Sequence, residues 1–285
     1  MPRYAVYDVF TDRRFAGNPL AVVIDGPMVP DDALQAVARE FGFSETTFVF
    51  PPDDDATTAR VRIFTPQAEL PFAGHPIIGT AIALADDGGA TGQTLGLGIG
   101  PVRTTVTRGR DGAPARASFG MRQRLDRRDW PDAALAAAVG GLAPGDIAGP
   151  VEIASVGLPF LMVPLGDADA LDRAVPDRAA ALRLAGAGGP VGVLFYVRDG
   201  SSVAQRMFAP TEGIDEDPAT GSATAALGAL LAARDDAPLT LSVAQGVAMG
   251  RASDIEVTAA PSGDGLTDIR VSGAAVRVME GRLTL

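Results

Sequence analysis

Phe64-Thr65-Pro66, a polar link, then Pro71-Phe72-Ala73-Gly74-His75 and an apolar run to Leu84 form a motif that the chain uses twice. The second copy is Phe208-Ala209-Pro210, an acidic link, then Pro218-Ala219-Thr220-Gly221-Ser222 and an apolar run to Leu231. Each copy reads Phe-x-Pro, loop, Pro-x-x-Gly-(His/Ser), helix. The loops differ in length, as expected of an old duplication. Two similar halves that each present a polar helix start predict one active site between two related lobes.

Composition narrows the chemistry. The chain has 285 residues, 47% of them hydrophobic, enough for a large core and for two domains or one large one. It has no Cys, which excludes disulfides, thiolate catalysis and thiolate metal sites. All 24 basic residues are Arg, so a Schiff-base lysine and a Walker A loop are excluded. His75 is the single histidine, so no multi-histidine metal site can form. Carboxylates, hydroxyls, arginine, one imidazole and the backbone remain. The net charge of −11 disfavours a nucleic-acid partner. The run Arg122, Arg124, Arg127, Arg128 reads as a solvated linker face. No apolar stretch is long enough to span a membrane. Residues 3–9 enter a strand with no apparent signal peptide before them, so the cytoplasm is the expected compartment.

Alternation predicts strands at 3–9, 20–24, 46–50 and 60–64, with a helix from Pro30 to about Phe41. The motif helix is expected at about 76–85. Gly88–Gly100 reads as a Gly-rich turn, followed by a hairpin around Arg108–Pro114. The second half echoes this order, with strands at 153–156, 160–164, 191–196 and 203–208 and a motif helix at about 223–233. The expected domains are 1–120, with the last strand returning to it, and 121–285. Mixed strands and few helices give an α+β class.

A helix start leaves unpaired N–H groups and partial positive charge, a receptor for a carboxylate. Gly74 and Gly221 let a ligand approach the backbone. Ser222 is expected as an N-cap and Pro76 at the first helical position. A single Gly-Ser before an Ala-rich helix is usually a cap; two related copies favour function. His75 at a helix start is expected to stay neutral; a lone histidine is more often structural, and a general acid is a further reading, but the motif around it favours contact with substrate. Glu45 stands where Phe43-Ser44-Glu45 enters the apolar strand Thr46-Thr47-Phe48, surroundings that raise a carboxylate's pKa toward that of a useful base. The plainer reading is an exposed acid. Of Asp215-Glu216-Asp217, Asp217 lies nearest the motif and is the best candidate for a second catalytic carboxylate.

These pieces, with Asp8-Val9-Phe10, Phe15-Ala16-Gly17-Asn18-Pro19, Glu69-Leu70 and Val278-Met279-Glu280-Gly281, make the chain resemble the PhzF-like family over nearly its whole length. The resemblance implies a diaminopimelate epimerase-like fold, two pseudo-symmetric lobes each with a sheet wrapped around a central helix. It implies a cofactor-independent isomerase that acts on a small carboxylated substrate and forms homodimers; charge and hydropathy add that neither nucleic acid nor membrane is an expected partner. Related epimerases use two cysteines; this chain has none, and Glu45 falls on the position of the acid/base glutamate. His75, Asp217, Ser222, Gly74 and Gly221 fall on positions that contact substrate or assist proton transfer. A binding protein that keeps the cleft is the alternative, disfavoured by the intact Glu45. A serine hydrolase built on Ser222 and His75 ranks last, because no Gly-x-Ser-x-Gly elbow surrounds Ser222.

Overall fold

The computed structural model describes residues 1–110, 112–186 and 189–285. The chain folds into two compact units, Met1–Gly120 with Ser272–Leu285, and Met121–Val271.

The first unit contains β1 (Arg3–Val9), β2 (Asn18–Val23), α1 (Leu34–Phe41), β3 (Glu45–Phe50), β4 (Ala59–Phe64), β5 (Glu69–Leu70), α2 (Gly74–Asp86), β6 (Gly92–Leu97), β7 (Gly100–Arg108) and β8 (Pro114–Gln123). β1 and β2 are antiparallel, β2 and β3 parallel, β3 and β4 antiparallel, β4 and β6 parallel, and β6 to β8 an antiparallel meander. α2 packs against β1, β2, β3 and β7 and is buried from Gly74 through Ala83. A helix apolar on every side has no face to give to water, so the sheet closes around it. Gly79 makes that closure possible: a Cβ there would lie 2.5 Å from Leu20 Cδ2 and 2.8 Å from Val9 Cγ2. On the other face of the sheet, Leu34 and Ala38 of α1 pack with Val23, Phe48 and Phe64.

The second unit contains β9 (Asp126–Asp129), α3 (Ala133–Val139), β10 (Glu152–Ser155), β11 (Pro159–Pro164), α4 (Ala168–Arg173), α5 (Arg178–Gly186), β12 (Gly192–Asp199), β13 (Ser202–Ala209), β14 (Ile214–Asp217), α6 (Gly221–Asp235), β15 (Leu239–Gln245) and β16 (Ser253–Pro261). A last strand, β17 (Thr267–Arg282), runs from this unit into the first, where it pairs antiparallel with β1. The pairing pattern repeats that of the first unit. β10 and β11 are antiparallel, β11 and β12 parallel, β12 and β13 antiparallel, β13 and β15 parallel, β15 and β16 antiparallel. α6 takes the place of α2 and packs against β10, β11, β15 and β16. On the sheet's other face, α3, α4 and α5 supply Val139, Leu171 and Leu184 to a core with Leu161, Val163, Phe195 and Phe208.

Three local readings change. The Gly-rich segment 88–100 holds a full strand, β6, because Gln93, Leu95 and Leu97 alternate inward between the glycines. The basic run is exposed, as expected, but most of it is strand rather than linker: Arg122 lies in β8, and Arg127 and Arg128 belong to β9, paired with β10. The central helices begin earlier than expected, at Gly74 and Gly221; Pro76 is the third helical residue, and Ser222 the second rather than the cap. The predicted turn at Arg108–Pro114 includes Asp111, which lies outside the described residues.

Candidate active site

In the first unit the site is built where two parallel strands begin. Leu20 of β2 stands opposite Glu45 of β3, so Asn18, Ser44 and Glu45 share one end of the sheet. Gly17, at φ +64, makes the turn that starts β2; a Cβ there would fall 2.4 Å from the Val9 carbonyl oxygen. Asp8 fixes the same loop by accepting from the Phe15 N–H at 2.6 Å. The start of α2 arrives at this end and inserts His75, whose side chain is 4% exposed. His75 Nδ1 lies 3.5 Å from Glu45 Oε2 and 3.4 Å from Asn18 Nδ2. Asn18 Oδ1 accepts from the Ser44 hydroxyl at 3.0 Å. One layer deeper, the hydroxyls of Thr47 and Thr80 pair at 2.9 Å.

Burial pushes the His75 imidazolium down to about 3, so the ring is neutral at physiological pH. The sequence pointed to neutrality through the helix start; the dominant cause is desolvation. His75 Nε2 is buried and makes no hydrogen bond among the described residues.

In the second unit the three acids before α6 separate cleanly. Asp215 is exposed. Glu216 is bound by Arg206 through two bonds of 2.8 and 2.7 Å. The same guanidinium donates to the carbonyls of Leu171 and Ala174 at the end of α4, which makes that pair an internal brace. Asp217, 6% exposed, ends β14, and its Oδ2 accepts from the Thr220 hydroxyl at 2.5 Å. Gln245, at the end of β15, bonds both Asp217 and Thr220. Gly221 and Ser222 open α6.

Neither central helix has a side-chain cap at its start. The outer helices differ: Asp132, Asp167 and Asp177 each accept from a first-turn N–H of α3, α4 and α5. At α6 the would-be cap, Thr220, turns its hydroxyl to Asp217 instead. At both central helices, therefore, the residue before the first turn gives its N–H groups no side-chain cap, beside His75 in one unit and Ser222 in the other.

Each predicted residue thus has a place. Gly74, His75 and Glu45 come together in the first unit, and Asp217, Gly221 and Ser222 in the second. Asn18, Ser44 and Thr220 lie within the sequence motifs with no role assigned by them, and Gln245 lies outside every motif. The available signal for Gln245 was an uncharged amide closing an otherwise alternating strand, Leu239-Thr240-Leu241-Ser242-Val243-Ala244-Gln245. Among the described residues no cluster of three or more His, Cys, Asp or Glu is placed to hold a metal ion. No helix among them is long and apolar enough to cross a membrane.

The comparisons agree with this architecture. The family model for phenazine biosynthesis-like proteins, PhzC-PhzF, matches residues 7–281. An uncharacterized isomerase of Mesorhizobium japonicum is 41% identical, the match covering 98% of each chain. The trans-2,3-dihydro-3-hydroxyanthranilate isomerase of Pseudomonas aeruginosa is 35% identical, with all of both chains covered. Among solved structures, the Bacillus anthracis phenazine biosynthesis protein of the PhzF family superposes with a TM-score of 0.89 at 25% identity, covering 100% of this chain and 99% of that one. A hydroxyproline epimerase from Agrobacterium vitis shares the fold, with a TM-score of 0.72 at 16% identity over 99% and 90% of the two chains. The repeated sheet-around-helix units are the epimerase-like fold, and the chain belongs to the PhzF family of phenazine biosynthesis-like proteins as an isomerase.

Proposed function

We propose that this isomerase moves a proton between two carbons of a small carboxylated substrate, with Glu45 as the acid/base. The observation that carries the reading is the contact of the Glu45 carboxylate with a buried, neutral His75 at an uncapped helix start. A neutral imidazole places no positive charge beside the carboxylate that would weaken it as a base. Glu45 takes the C–H proton and becomes a carboxylic acid, while the electron pair of that bond moves into the conjugated system. The same acid returns its proton to a second carbon as the double bond shifts. One group serves both steps provided the substrate stays fixed.

Fixing falls to the remaining residues. His75 offers Nε2 to a polar substituent, and Asp217 orients another. In the first unit the helix start at Gly74, beside Glu45, receives the carboxylate, and in the second the start at Gly221 and the Ser222 hydroxyl offer an anion receptor of the same kind. The P. aeruginosa relative names the first substrate to try, trans-2,3-dihydro-3-hydroxyanthranilate. Cofactor independence and a homodimer belong to the same proposal.

The test is proton NMR of that compound in deuterated water with wild type and Glu45→Gln. Deuterium uptake and a double-bond shift that vanish with Glu45→Gln support the assignment. Turnover undiminished in Glu45→Gln overturns it. A reaction confined to other carboxylated carbon acids keeps the mechanism and moves the substrate.

A further inference from the structure

Gln245 is 1% exposed, and four polar partners surround its amide. Nε2 donates to the Asp217 carbonyl at 2.7 Å and to Thr220 Oγ1 at 3.1 Å. Oε1 accepts from the Thr220 N–H at 3.1 Å and from Gln205 Nε2 at 2.7 Å. A carboxamide has two N–H donors and two carbonyl lone pairs, so its capacity is filled. Its orientation is also fixed: a backbone N–H can only donate and a backbone carbonyl can only accept, so the flipped amide would lose both bonds. Gln205 is anchored in turn by donating to Thr224 Oγ1 at 2.8 Å, and the Thr224 hydroxyl donates to the Thr220 carbonyl at 2.9 Å.

Direction follows from that polarity. Gln245 occupies a lone pair of Thr220 Oγ1, and the Thr220 hydrogen points to Asp217 Oδ2 at 2.5 Å, a separation typical of a hydroxyl on a carboxylate. Thr220 is the residue before α6, where a threonine would ordinarily cap the helix; here its hydroxyl is turned to Asp217. The geometry points to Gln245 as the positioning residue of the site. Through Thr220 it holds Asp217 as a hydrogen-bonded carboxylate at the start of α6. This rests on the role proposed above for Asp217. In the first unit Leu97 ends the corresponding strand, β6, so the device belongs to the second unit alone.

The test reads Asp217 directly. In protein carrying ¹³Cγ-aspartate, the Asp217 signal is identified by its loss in Asp217→Asn, and its titration is followed in Gln245→Met, Thr220→Val, Thr220→Ser and the Gln245→Met/Thr220→Val pair. Losing a hydrogen bond to the ionised form raises a carboxylate's midpoint. Gln245→Met and Thr220→Val are each expected to move it to higher pH. The double variant moves it no further than the larger single change, since both break one chain. Thr220→Ser, which keeps the hydroxyl, leaves it in place. With turnover in hand, Gln245→Met lowers kcat by about 10- to 100-fold, the usual cost of a misplaced group, with KM near that of wild type.

If Gln245→Met fails to fold, Gln245→Asn, one methylene too short to reach Thr220, replaces it with the same expectation. An unmoved midpoint in the folded Gln245 variant, or additive single effects, overturns the relay and leaves Gln245 merely structural. A moved midpoint in a protein without isomerase turnover keeps the relay and overturns the proposed function, so the two failures are distinct.

Discussion

The two central helices begin in the same way and finish different tasks. α2 opens with Gly74-His75 and presents a buried neutral imidazole against Glu45; α6 opens with Gly221-Ser222 and has Asp217 held by Thr220 and Gln245. The strand pairings around them match step for step. What differs is the polarity brought by neighbouring strands. β2 and the residue before β3 deliver Asn18 and Ser44 to the first site, whereas β13 and β15 deliver Gln205 and Gln245 to the second. The two units thus share a pairing pattern while each surrounds its helix start with a different set of polar groups. The first unit sets a carboxylate beside a neutral ring, the second a carboxylate in an amide-and-hydroxyl cradle.

The sharpest way to break this comparison is to replace each carboxylate in turn by its amide. Glu45→Gln is expected to lower kcat/KM by about 10³- to 10⁴-fold, the upper range for loss of a general base. Asp217→Asn should cost about 10²-fold, since an amide still accepts from Thr220 and still orients a polar group. Steady-state kinetics with matched circular dichroism decides the order. The reverse order would make the second unit the seat of the base.

The second effect is on stability and isolates the first unit. The folded His75 takes a proton only near pH 3, whereas the unfolded residue does so near its ordinary 6.5. Between those values the unfolded chain binds more protons, so stability falls as pH drops below about 6.5, and the loss ends near 3. Above 6.5 the term vanishes. His75→Gln removes it, and with one histidine in the chain no other imidazole interferes. The stability gap between wild type and His75→Gln should shift by about 2 kcal/mol in the variant's favour from pH 7 to pH 5. Urea titrations at the two pH values measure it.

How much of this the sequence disclosed follows the range of the interactions. The motif glycines, the apolar helices and the alternating strands are local patterns, and the two Pro-x-x-Gly copies did lead to the starts of the two buried helices. Glu45 and His75 were singled out, and they touch. The partners of those residues were not legible. Gln245 reaches Thr220 only because β15 pairs with β13, and Asn18 reaches His75 only because β2 runs parallel to β3 beside α2. Ser222 has the residue type of a cap, but the helix begins two residues before the start such a cap would give, with Gly221 already helical and Thr220 turned to Asp217. Strand β6 was hidden by glycines whose spacing leaves the inward positions apolar or amide.

A third measurement compares the helix waists. Gly79→Ala forces a Cβ to within 3 Å of Leu20 and Val9, and this overpacking should outweigh the helical gain of alanine, for a net loss of about 1–2 kcal/mol. The Gly228→Ala methyl group meets Val257 Cγ2 at 3.0 Å and Cγ1 at 3.3 Å, contacts that a side chain relieves with a small shift. Alanine's propensity then compensates, and the change should be near zero. Equal losses in thermal unfolding would mean that the two sheets grip their helices equally tightly.

The smallest effect lies at the far ends, where the helices are most alike. α2 ends at Asp86 with Asp87 as its cap, and α6 ends at Asp235 with Asp236 as its cap, acids placed against the negative pole of the helix dipole. In each unit an arginine from the sheet answers: Arg3 bonds Asp87 at 2.9 Å and Arg198 bonds Asp235 at 2.8 Å. These pairs are partly exposed, so each contributes only a fraction of a kcal/mol, about what removing an acid from a helix C-terminus returns. Asp87→Asn and Asp235→Asn should therefore each leave stability within about 0.5 kcal/mol of wild type by chemical denaturation. Neither should alter turnover. If Asp87→Asn lowered kcat while Asp235→Asn did not, the far end of α2 would be coupled to His75, and the division between reactive helix starts and inert helix ends would fail in the first unit alone.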